Sequence, residues 1–155
     1  MNTEIYEKGL QALEAKDYRA AVRDFETVLK DLDEHDEHYN EVASYTGLAQ
    51  VLTSNRNGLL VCRDAASSDV QDGTVFLNLA CAEWQCNNRK RAIDAVQRGC
   101  KFDADCERLQ QAIALLDSRK HSVFGFLPRN HSLNRVFGRL LRRSSDDVDV
   151  HSLLY

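Results

Sequence analysis

The chain has 155 residues, 43% of them hydrophobic and 28% charged, with a formal net charge of −4. That length is one domain with enough material for a core, and no stretch approaches the ~20 apolar residues needed to span a bilayer. Seven glycines and a single proline disfavour an all-β fold, which needs many turns, and leave helix as the default. The start, Met1-Asn2-Thr3-Glu4, lacks the basic head and apolar run of a secretory signal. Five cysteines, an odd number, fit reduced thiols and a cytoplasmic setting better than a disulfide framework.

The net charge hides an asymmetry. Residues 1–117 carry 13 Lys and Arg against 21 Asp and Glu, residues 118–145 carry seven basic residues and no acidic one, and residues 146–155 add three Asp. A cationic segment behind an acidic body bears on the choice of partner.

In chain order, residues 3–16 read as a first helix, with Ile5, Gly9, Ala12 and Leu13 at helical spacing and Thr3 as cap. Lys16-Asp17-Tyr18 breaks it, and Asp17 caps a second helix over 18–31, with Tyr18, Ala21, Val22, Phe25, Val28 and Leu29 on one face. Residues 40–53 and 57–67 form another pair, 73–87 and 89–101 a third, and 105–119 a further single helix. The short connections predict antiparallel neighbours. Asp31 to Glu41, with six acidic residues, His35 and His38, lacks the spacing of a calcium loop and reads as a mobile surface connection.

The pairs repeat. Gly9 is followed by Ala21, Phe25 and Val28; Ala80 is followed by Ala92, Val96 and Gly99; Gly47 precedes Gly58, Cys62 and Ala65 in the same pattern, one residue shorter. Gly9 to Gly47 is 38 residues and Gly47 to Ala80 is 33. A small residue in each first helix faces a small residue in the second, which lets the backbones approach. With Lys16-Asp17-Tyr18, Phe76, Leu79-Ala80, Gly99 and Phe102, this pattern resembles the tetratricopeptide repeat family, whose period is near 34. The resemblance covers residues 3–104 and divides them into repeats at about 3–36, 40–68 and 73–104. Arg56 and Cys62 depart from it where aromatics are usual, and Asp33 and Ala104 where a proline is common.

The resemblance implies an all-α, right-handed superhelix over residues 1–119, closed by 105–119 as a solvating helix. Its first helices would line a concave surface. Carried over residue by residue, the inward positions are Tyr6, Leu10 and Leu13; Ser44, Leu48, Val51 and Leu52; and Leu77, Cys81, Trp84 and Gln85. Asn78 falls where the family often bonds a ligand backbone. Tyr6, Leu48, Leu77 and Trp84 are the expected anchors. Such an apolar groove suits an amphipathic helix or apolar peptide, and lacks the basic residues of the branch that grips chaperone carboxylate tails.

Nothing in the sequence assembles an enzyme. There is no phosphate loop, nucleophile elbow or HExxH. Cys81 and Cys86 are about 140° apart around a helix and do not share a face for metal, although Cys100 and Cys106 flank a turn and can approach. No cofactor or metal is expected. The expected role is that of an adaptor or chaperone-like module for a protein or peptide partner, with homodimerisation open.

Residues 120–130 read as a linker and 144–155 as an acidic disordered tail. Between them, 131–143 reads as a basic amphipathic helix: Leu133, Val136, Phe137, Leu140 and Leu141 form one stripe, with Arg135, Arg139, Arg142 and Arg143 on the other faces. Three destinations compete for it: its own groove, a partner or second copy, and an anionic membrane surface that would make the chain a peripheral assembly factor. Nucleic acid is disfavoured by the acidic body and by the lack of interleaved aromatics.

Overall fold

The computed structural model describes residues 1–67 and 71–116. The described residues are all helical, with no strand: α1 (Thr3–Glu14), α2 (Tyr18–Lys30), α3 (Tyr39–Leu52), α4 (Gly58–Ala65), α5 (Gly73–Gln85), α6 (Arg89–Phe102) and α7 (Glu107–Leu116). The single helix expected over 105–119 is thus described as far as Leu116. The linker, the helix expected over 131–143 and the acidic tail lie outside the described residues.

Local chemistry sets the helix ends. Asp17 caps α2 by accepting from the Ala20 amide at 3.1 Å. The cap of α1 is Asn2 rather than Thr3: Asn2 Oδ1 accepts from the Ile5 amide at 3.4 Å, and Thr3 is already helical. Between α2 and α3 the acidic connection is a run of turns, in which Asp33 and Asp36 each accept from the amide two residues on, His35 and His38, at 2.9 Å.

One turn recurs three times. The second residue after α1, α3 and α5 is left-handed: Lys16 (φ 62°), Ser54 (φ 70°) and Asn87 (φ 63°). In each case the next amide reaches back five residues, Asp17 to the Ala12 carbonyl at 2.9 Å, Asn55 to Gln50 at 3.0 Å and Asn88 to Glu83 at 2.8 Å. This is the Schellman closure, which satisfies the free carbonyls at a helix end. Its recurrence gives the three helical hairpins the same exit geometry.

The odd helices are bonded side by side. Tyr6 Oη of α1 donates to Glu41 Oε1 of α3 at 2.7 Å, and Asn78 Nδ2 of α5 donates to Ser44 Oγ of α3 at 2.9 Å. Helices α1, α3 and α5 each also pack on the helix that follows them, α2 touches α3, α4 touches α5, and α7 rests on α6 and α5. Helix α3 therefore has neighbours on most sides, which explains why every residue from Val42 to Ala49 is buried. Close approach is achieved at one glycine pair. A Cβ on Gly47 would lie 2.6 Å from the Gly58 carbonyl oxygen, and one on Gly58 would strike the Gly47 carbonyl. Phe25 fills the space left by Gly9 and stacks on Tyr45, with centroids 5.4 Å apart and planes at 20°.

Candidate functional site: a pocket across the odd helices

A pocket of about 260 Å³ opens where the odd helices lie together. Helix α1 contributes Leu10, Gln11, Leu13 and Glu14, α3 contributes Tyr45, α5 contributes Leu77 and Asn78, and α7 contributes Arg108. No residue of α2, α4 or α6 lines it. The wall is apolar at the leucines and Tyr45, with one acidic and one basic side chain.

Asn78 is the chemically unusual member. It is 1% exposed, and its Nδ2 is held by Ser44, whose hydroxyl in turn donates to the Glu41 carbonyl at 2.7 Å. With the serine proton committed there, the amide is fixed with Oδ1 as the outstanding acceptor. That Oδ1 is buried with no hydrogen-bond partner among the described residues. Leaving such a group unsatisfied costs about 1–3 kcal/mol, and because Asn78 is only 1% exposed, a ligand N–H reaches Oδ1 only if the pocket wall moves aside. Outside the pocket, the Tyr6 hydroxyl is held protonated, its pKa pushed up by burial and then by its bond to Glu41, so it stays a donor at any physiological pH.

The pocket brings together Leu10, Leu13, Leu77 and Asn78 of the residues expected from sequence. The other expected groove positions separate from it. Leu48, expected as an anchor, and Cys81 are 0% exposed, and Ser44 and Val51 are also buried. None of these four lines the pocket. Tyr6, Leu52 and Trp84 are half-buried and Gln85 is exposed. Trp84 sits beneath the Arg89 guanidinium, 4.7 Å from the ring centroid. Gln11, Glu14, Tyr45 and Arg108 also line the pocket and were missed. Tyr45 could have been found from its place one residue after Ser44; Arg108 lies on the helix outside the repeat register and carried no signal.

The cysteines are core and seam residues. Burial pushes the Cys81 thiol up to about 12, and raises that of Cys62 as well, where Cys81 and Glu83 add to the effect. Burial also raises Cys100, with Cys106 and Asp103 nearby. Among the described residues no group of three or more His, Cys, Asp and Glu is placed to hold a metal ion, and no helix is long and apolar enough to cross a membrane.

Two consequences are measurable. Thiol titration of the native chain should leave Cys62 and Cys81 unmodified by a thiol reagent that labels half-exposed Cys86 and Cys106, until denaturant is added. Because the folded Cys81 pKa lies above its ordinary value of 9.0, the unfolded chain loses that proton first. Stability is then full below pH 9 and falls as pH rises from about 9 towards 12. A Cys81→Ala variant should show a smaller fall over that window in urea unfolding.

Compared with models of known families and with curated proteins, the chain matches none.

Proposed function

We propose that the chain is a peptide-binding adaptor of the tetratricopeptide type, whose odd helices line the concave face of a short right-handed superhelix. The supporting pattern is the turn that recurs at Lys16, Ser54 and Asn87, together with the side-by-side bonding of the odd helices. The observation that carries the binding role is a pocket that, among the described residues, is lined by those helices alone, with Asn78 and its unsatisfied Oδ1 in the wall. An apolar side chain of the partner enters between Leu10, Leu13 and Leu77. A backbone or side-chain N–H from the same partner meets Asn78. Arg108 and Glu14 then select the charges that flank the apolar residue. The function is recognition, with no chemical step.

The test is selection of a displayed library of twelve-residue peptides on the full chain. Enriched peptides should share one large apolar residue, and binding should weaken at least tenfold in Leu10→Asp and change its charge preference in Arg108→Glu. Arg108 is a surface residue of α7, so that variant keeps its fold when Leu10→Asp does not. Enriched peptides indifferent to both substitutions would remove the pocket as the binding site.

A further inference from the structure

We propose that the pocket's resident occupant is the chain's own segment 131–143, so that partners gain the groove by displacing it. This rests on the reading of the pocket as a ligand site and adds how that site is regulated.

Three observations converge on this segment. The first is fit. The pocket combines leucines with an acceptor lacking its donor, and the segment combines the stripe of Leu133, Val136, Phe137, Leu140 and Leu141 with donors on its flanks. In the helical register that the spacing of the stripe predicts, Asn134, three residues before Phe137, borders the stripe and is the side-chain donor proposed to reach Asn78 as the pocket wall gives way.

The second is charge. Residues 1–41, which form α1, α2 and the acidic connection, hold twelve acidic and five basic residues. Residues 118–145 hold seven basic residues and no acidic one. At the pocket itself the charged lining residues are Glu14 of α1 and Arg108 of α7. A docked segment therefore places an arginine near Glu14 and keeps its others away from Arg108.

The third is reach. Arg108 of the pocket and Leu116 are on the same helix, about 12 Å apart along its axis at 1.5 Å per residue. Residues 117–132 extend to roughly 50 Å. The tether spans the gap several times over and holds the segment at high effective concentration.

The test uses the full chain carrying Phe137→p-benzoylphenylalanine, irradiated at low micromolar concentration and mapped by mass spectrometry. Adducts within one molecule on α1, α5 or α7 are expected. Adducts only between molecules would assign the stripe to a second copy, and adducts absent from residues 1–116 would leave it undocked; either overturns the proposal. In parallel, a fluorescein-labelled synthetic peptide of residues 128–143 is titrated with the full chain and with Phe137→Asp, following its fluorescence anisotropy. At least tenfold tighter binding to Phe137→Asp supports self-occupancy, and equal binding to both overturns it. Co-sedimentation of the unsubstituted chain with phosphatidylserine-containing vesicles, lost in Phe137→Asp, overturns it in favour of a membrane. Library peptides that depend on Arg108 and bind both chains equally would sink self-occupancy while leaving the groove intact. Library peptides that never depend on the pocket would sink the groove itself.

Discussion

Replacing Phe25 by alanine is expected to cost about 3–5 kcal/mol, a large share of the roughly 5–15 kcal/mol by which small domains are stable. Phe25 is 0% exposed and is the centre of an aromatic cluster, with Tyr45 at 5.4 Å and Tyr6 at 5.9 Å between centroids. The ring also occupies the volume that Gly9 leaves open, and this allows a sharper test. A Cβ at Gly9 would lie 2.7 Å from Phe25 Cε1. Tyr6 and Tyr45 hold the ring in place, so it cannot swing away cheaply. Gly9→Ala gains about 1 kcal/mol of helix propensity but forces an overpacked core costing about 1–3 kcal/mol, and the second term should win. In a Phe25→Leu background the clash is relieved and the same Gly9→Ala should become neutral or stabilising. Urea midpoints of the four chains measure this directly; additive effects would mean that the two residues do not share that space.

Arg63→Ala is the second large effect, expected to cost about 3 kcal/mol. Glu83 is buried at the end of α5 with its side chain 3% exposed, whereas that of Arg63 on α4 is 34% exposed. The guanidinium grips it at two points, Nε to Oε1 at 2.7 Å and Nη2 to Oε2 at 3.0 Å, and Asn88 Nδ2 adds a bond to Oε2 at 2.7 Å. Removing the arginine leaves a carboxylate out of water with one neutral donor. The partial exposure of Arg63 places the cost at the lower end of the range for breaking buried pairs, because water can reach the vacated space. The double variant Arg63→Met, Glu83→Leu removes the stranded charge and should recover most of the loss. A double variant as unstable as Arg63→Ala would mean that the pair contributes through packing.

The helices were legible because their chemistry is local. The Asp17 cap, the glycine positions and the apolar spacing of α2 each act within a few residues, and the observed boundaries fall close to the expected ones. The cap of α1 was misplaced by one residue because Asn2 and Thr3 are both good caps and only the observed backbone separates them. The groove was less legible. Helix α3 is apolar on nearly all sides, and a one-dimensional pattern cannot tell a leucine facing a ligand from one facing a neighbouring helix. Leu48 and Cys81 went to the core for this reason, since α3 touches α2, α4 and α5 at once. Arg108 was invisible because inward positions were read from repeat register, and α7 belongs to no repeat.

The most direct test of the groove is an amide chemical-shift map of the isotopically labelled full chain, recorded as a library-selected peptide is added. Saturable shifts concentrated at Leu10, Leu77, Asn78 and Arg108, with a change at the Asn78 side-chain amide and little on α2, α4 and α6, are the expected result. Shifts confined to α2, α4 and α6, or an Asn78 side chain indifferent to a bound peptide, would contradict it.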